Sequence, residues 1–135
     1  MEFKELTLEE LIQGYVRLDE EQAYQCIFCG EKFEEGLIYT SRGRSVSAHR
    51  AMQEHLFDEH GGVFESLLEM DKQVNGLSDS QKEVLEGMYR QKDNKALCEA
   101  MSISAATVRT HKFNLQKMKR EARVFLAIME QIENE

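Results

Sequence analysis

The sequence predicts a mainly α protein built in two parts, and three observations carry that expectation. Capping boxes at Thr7–Glu10 and Ser78–Gln81 each precede apolar residues at helical spacing. Residues 105–133 contain neither Gly nor Pro, which reads as one long C-terminal helix. Between these, Cys26-Ile27-Phe28-Cys29-Gly30 is a tight thiol-bearing turn flanked by two short strand-like segments. The expected architecture is a small N-terminal unit, 1–76, of a short β-hairpin plus helices. It is joined to a C-terminal unit, 77–135, of three or four helices with a long last helix.

The elements follow in order. Behind Thr7, the residues Leu8, Leu11, Ile12, Tyr15 and Val16 predict an amphipathic helix from about 8 to 18. Tyr24–Cys26 and Leu37–Tyr39 read as two strands around the thiol turn. Ser45 or Ser47 opens a helix that runs to His60 and stops at Gly61-Gly62. Val63, Phe64, Leu67, Leu68 and Val74 predict a further helix ending at Asn75-Gly76, where the boundary is placed. Ser78 then caps a helix carrying Val84, Leu85 and Met88, and Asn94 to Met101 forms the next.

Bulk composition excludes several classes. With 41% hydrophobic and 31% charged residues the chain is globular rather than disordered. No apolar run approaches the roughly 18 residues of a membrane span and no basic-then-apolar leader opens the chain, so a soluble, cytoplasmic protein without membrane contact is expected. Three cysteines do not make a disulfide framework.

Cys26 and Cys29 can place both sulfurs on one ion, because the turn aims backbone N–H groups at the thiolates. His55 and His60, with four residues between them, complete a tetrahedral two-Cys, two-His set, and the expected ion is zinc. His49 is the competing ligand. The segment resembles a Cys-Cys-His-His zinc finger at its apolar positions too, with Phe33 four residues after Cys29 and Met52 three before His55. It departs in length: 25 residues separate Cys29 from His55, against about 12 in the usual finger, and Gly36 to Arg44 accounts for the insertion. Four ligands close the shell, so the site reads as structural rather than catalytic, and no catalytic residues are assigned. Glu54 and Glu59, beside the histidines, read as a solvated helix face.

In the C-terminal part, Leu97 to Met101, a three-residue turn and a helix capped by Ser104 form a helix-turn-helix pattern. Leu97, Met101, Ile103 and Val108 lock the two helices, and the second helix can lie in the major groove of DNA. The chain's net charge of −8 is unevenly spread. Residues 1–76 hold 7 Lys+Arg against 16 Asp+Glu, whereas 77–135 hold 10 against 9. Within 105–123, Arg109, Lys112, Lys117, Lys119, Arg120 and Arg123 face one acid, Glu121. Phosphate attraction is local, so a basic stripe on one helix matters more than the total.

From Leu77 to about Lys117 the sequence resembles the LuxR (GerE-type) helix-turn-helix family of bacterial transcription regulators. Leu77-Ser78, Glu83-Val84-Leu85, Asn94-Lys95, Ile103-Ser104, Thr107 to His111 and Asn114 carry the resemblance. It implies a cytoplasmic, DNA-binding transcription regulator that acts as a dimer. Carried over by position, Arg109, Thr110 and Phe113 stand where the family touches bases, and Lys95, Thr107, Lys112 and Lys117 near phosphates. Arg109 can pair bidentately with guanine. Phe113 stands where the family has a polar residue, and either contacts a thymine methyl or is core. Gln91 replaces the glycine that precedes the second helix.

The family breaks after its recognition helix, whereas here Val108, His111, Leu115, Met118, Ala122, Phe125, Met129 and Ile132 fall on one heptad seam. The apolar run Val124 to Met129 either folds back on its own chain or pairs with a second copy, giving a homodimer. The expected function is sequence-specific binding of double-stranded DNA by a regulator with a structural zinc site, with RNA polymerase or another regulator as a further partner class. The alternative is a zinc-stabilised adaptor that docks on the transcription machinery through its basic helix. A zinc hydrolase is the third reading, and it needs an open coordination position.

Overall fold

The computed structural model describes residues 3–134. It is mainly α: α1 (Leu8–Gln13), α2 (Ala48–His60), α3 (Val63–Leu68), α4 (Lys72–Asn75), α5 (Asp79–Tyr89), α6 (Asn94–Met101) and α7 (Ala105–Glu133). Five short strands, β1 (Tyr15–Leu18), β2 (Ala23–Cys26), β3 (Lys32–Glu34), β4 (Tyr39–Ser41) and β5 (Arg44–Val46), lie between α1 and α2. Two compact units divide the chain, one up to Asn75 and one from Gly76 on. No helix among the described residues is long and apolar enough to cross a membrane.

In the first unit the capping box at Thr7 starts α1, with Glu10 N donating to Thr7 Oγ1 and Thr7 N to Glu10 Oε1. The helix stops at Gly14, five residues short of the expected span, because Gly14 is left-handed at φ 88° and caps it. A Cβ there would sit 2.7 Å from Val63 Cγ2, so only glycine lets the chain turn against α3. Tyr15 and Val16 therefore enter β1. The alternation that buries Val16 between half-buried Tyr15 and Arg17 serves the sheet as well as a helix, and the glycine decides.

β1, β2 and β3 form an antiparallel sheet in that order, with Tyr15 opposite Cys26 and Tyr24 opposite Phe33. β4 and β5 form a separate hairpin, Tyr39 opposite Val46, turning through Arg42 and Gly43 at φ 52° and 76°. The second expected strand is thus shifted from Leu37–Tyr39 to Tyr39–Ser41, leaving Leu37 and Ile38 exposed in the preceding loop. α2 packs across β2, β3 and β4, closing a core of Cys26, Met52 and Leu56 with Tyr15, Tyr24, Phe28, Phe33 and Val63 around it. Ser47, not Ser45, caps α2, and Gly61 ends it at φ 74°. The helix expected from Val63 to Val74 is broken into α3 and α4. The Asn75 amide donates to the carbonyls of Leu67, Leu68 and Met70, which satisfies the end of α3.

Glu54 is not on a solvated face. Its side chain is 3% exposed, accepting from Ser41 Oγ at 2.7 Å and Arg50 Nε at 2.9 Å, with Arg44 also bound to it. The Ser41 bond, the Arg50 bond and the charges of Arg44 and Arg42 outweigh burial and hold its carboxyl below the ordinary value. A depressed folded value contributes stability that is present above the ordinary carboxylate range and is lost as pH falls through the folded value. Glu54→Gln is therefore expected to lower the melting temperature of the first unit at neutral pH. The gap from wild type should shrink in melts taken at progressively lower pH. A gap that is constant with pH would contradict the charge-based account.

In the second unit Ser78 forms its capping box with Gln81, Asp93 caps α6 and Ser104 caps α7. The core is Val84, Leu97, Val108 and Leu115, with α5, α6 and α7 packed pairwise around it. Gly87 on α5 makes the closest approach: a Cβ there would fall 2.2 Å from Leu97 Cδ2. Between α5 and α6, Lys92 N donates to Gly87 O and Gln91 N to Met88 O, a Schellman closure that needs a left-handed residue. Gln91 takes that conformation at φ 61° without being glycine. Gln91→Gly should accordingly stabilise this unit by about 1 kcal/mol, read as a raised midpoint in denaturant melts. An unchanged or lowered midpoint would show that no strain resides there.

Candidate metal centre and nucleic-acid interface

The thiol turn closes by Gly30 N donating to Cys26 O at 2.9 Å, while Phe28 N points at Cys26 Sγ at 3.4 Å. It presents Cys26 from beneath α2 and Cys29 at the surface. On α2, His55 sits one turn before the end and His60 is the last residue, so both rings reach the turn. Cys26 Sγ lies 3.5 Å from His60 Nε2, Cys29 Sγ 3.2 Å from His55 Nε2, and the two Nε2 atoms are 3.2 Å apart. All four ligand atoms fall within 4.8 Å of one another. A tetrahedral ion with bonds of about 2.3 Å to sulfur and 2.0 Å to nitrogen sets neighbouring donors about 3.3–3.8 Å apart, so the residues fit such a metal ion.

The surroundings suit that ion. Glu31 Oε2 stands 3.2 Å from His55 Nδ1, the outer-shell carboxylate that fixes a ligating imidazole with Nε2 inward. Phe28 and Phe33 pack on the rings of His60 and His55, at 5.7 and 5.6 Å between centroids. Burial pushes the Cys26 thiol up from its ordinary value, and burial followed by the nearby His55 pulls His60 down. Without a cation the pocket therefore favours a thiol and a neutral imidazole, and a bound metal would displace the thiol proton.

His49 stands apart from the four. Its Nε2 is 2.8 Å from the Tyr15 hydroxyl and its ring packs on Tyr15 and Tyr24. The sequence reading missed Glu31, for which an acid one residue after Cys29-Gly30 was the available signal.

The second cluster of expected site residues lies on α6 and α7. α6 ends at Met101, Ser102 is left-handed at φ 56°, and Ser104 accepts from Thr107 N at 3.1 Å to start α7. Arg109 and Thr110 are exposed on the first turns of α7, and Thr110 Oγ1 is held by donating to Ala106 O. Phe113 is 68% exposed, which removes it from the core and leaves it on the outer face with Arg109. Lys112 Nζ donates to Asn94 Oδ1, Lys117 pairs with Glu121 at 3.8 Å, Lys95 is exposed in the first turn of α6 and Thr107 in the first turn of α7. His111 and Cys98 are half-buried. One capped helix thus presents Arg109, Thr110, Phe113 and Lys117 to solvent while Val108 and Leu115 anchor its other side.

Residues 75–130 match the family GerE, bacterial regulatory proteins of the luxR family. The luxR-type match spans α5, α6 and most of α7, and it supports a DNA-binding regulator of transcription. The family is one of regulatory proteins and not of enzymes. No curated protein and no solved structure matches the chain.

Proposed function

We propose that the chain is a sequence-specific, double-stranded-DNA-binding transcription regulator whose first unit, up to about residue 76, is folded around a structural zinc ion. The observation that carries the reading is the luxR-type match over a capped helix that turns Arg109, Thr110 and Phe113 outward. Arg109 reads a guanine through its two-pronged guanidinium, with Thr110 and Phe113 on neighbouring bases. Lys95, Thr107, Lys112 and Lys117 hold phosphates and set the register. Cys26, Cys29, His55 and His60 are the zinc ligands, a closed two-sulfur, two-nitrogen shell that supplies folding energy and leaves no position for catalysis. The regulator works as a homodimer, because the distal part of α7 leaves Phe125, Ile128 and Ile132 exposed at 63%, 54% and 65%. It belongs in the cytoplasm with the DNA, and RNA polymerase or a second regulator is the further partner.

Salt dependence tests the binding mode. Lys112→Ala and Lys117→Ala should weaken binding to all duplexes alike and each flatten the slope of log affinity against log salt by about one unit. Binding that ignores salt, or that neither lysine affects, would favour the adaptor reading instead.

A further inference from the structure

We infer that two copies of α7 pair antiparallel, with the two-fold axis level with Ala127, between Leu126 and Ile128, so that the two DNA-reading segments point to opposite ends of the dimer. The inference rests on the homodimer of the proposed function and adds its orientation. α7 continues 18 residues beyond Leu115, the last buried residue of the second unit's core, to Glu133. Along this distal part Phe125, Leu126, Ile128 and Ile132 are 44–65% exposed. Heptad spacing puts Ala122, Phe125, Met129 and Ile132 on the seam. Lys119, Leu126 and Glu133 fall on one flank, and Glu121 and Ile128 on the other.

The two orientations make different neighbours of these flanks. In a parallel pair opposite flanks meet five residues apart, so Glu121 faces the second copy's Leu126 and Ile128 faces its Glu133. Each such contact sets a carboxylate against an aliphatic side chain, which costs desolvation with no partner gained. In an antiparallel pair each flank meets itself. Lys119 then faces Glu133 of the second copy, twice by symmetry, and Leu126 faces Leu126 beside the axis. Ile128 faces Ile128, Phe125 packs on Met129, and the small Ala122 makes room for Ile132. The flank of Lys119, Leu126 and Glu133 is thus complementary to its own reverse, with opposite charges seven residues to either side of Leu126. That self-complementarity names a second copy as the occupant, through an isologous contact.

Cross-linking of the full-length, zinc-loaded chain in a Cys98→Ser background reads the orientation. Leu126→Cys should form a disulfide-linked dimer under mild oxidation while Ala122→Cys does not, because of these two only position 126 meets its own copy. Lys119→Glu and Glu133→Lys should each weaken the dimer by roughly five- to tenfold in sedimentation equilibrium, and the double variant should restore it. Cross-linking through position 122 and not 126, with no effect of the swaps, would establish a parallel pair and overturn the orientation while leaving the dimer. A dimer that neither cysteine links and neither swap weakens would place the interface elsewhere. A wild-type chain that stays monomeric at high concentration would overturn both this inference and the homodimer, leaving the seam to pack on its own chain.

Discussion

His60→Ala is expected to strip the metal from the first unit and unfold it. The core of this unit is small: Met52 and Cys26 are its largest fully buried side chains, with Val16, Ile27, Val46, Leu56 and Leu68 buried beside small alanines, and its strands are three or four residues long. Structural zinc contributes about 10–16 kcal/mol of apparent binding energy in finger-like folds. That matches or exceeds the whole stability of an ordinary domain, about 5–15 kcal/mol. Cys26→Ser should act the same way. Metal analysis should find about one zinc per wild-type chain and none in either variant, and amide spectra should show the signals of 15–68 collapsing. His49→Ala should keep the metal, since that ring serves Tyr15 and Tyr24. A zinc-free wild-type chain with this unit still folded would refute the assignment.

Gly87→Val is expected to disrupt the second unit. Its Cβ alone would fall 2.2 Å from Leu97 Cδ2, and Leu97 is itself a core residue at 2% exposed. Overpacking of this kind costs about 1–3 kcal/mol for a modest insertion, and valine adds two further methyls to a contact already below van der Waals distance. Loss of the α5–α6 contact would release the turn that aims α7, so DNA binding should fall with stability. The direct check is a double variant. Gly87→Ala with Leu97→Ala should cost less than the two single changes added together, since each makes room for the other. Strict additivity would show that the close approach is not where the strain falls.

These two predictions differ in how far the sequence foretold them. The metal cluster was legible because a two-thiol turn and two histidines a helical turn apart are constrained by chemistry whatever lies between them. The insertion from Gly36 to Arg44 obscured the path but not the ligands, and it folds as the β4–β5 hairpin. The helix-turn-helix was legible because the Ser104 cap and its apolar contacts are local in sequence. What was not legible depended on contacts far apart in the chain. Gly14 ends α1 as a left-handed cap, a local signal passed over, and only the distant Val63 shows why no other residue fits there. Glu54 reads as one acid among several on α2 until the hairpin turn brings Arg42 and Arg44 against it. Gly87 looks like a weak point in a helix, and only the position of Leu97 explains it. Phe113 was ambiguous between base contact and core because both accept an aromatic ring, and its exposure excludes the core.

The central claim is that α7 reads DNA sequence through Arg109. Selection of bound duplexes from a random pool by the full-length, zinc-loaded chain, repeated with Arg109→Ala, tests it most directly. The account predicts an enriched motif with wild type. With the variant it predicts loss of preference at one base pair, worth about 1–3 kcal/mol of discrimination, while neighbouring positions keep theirs. Failure of the wild-type chain to enrich any sequence, or an Arg109→Ala motif identical to that of wild type, would contradict it.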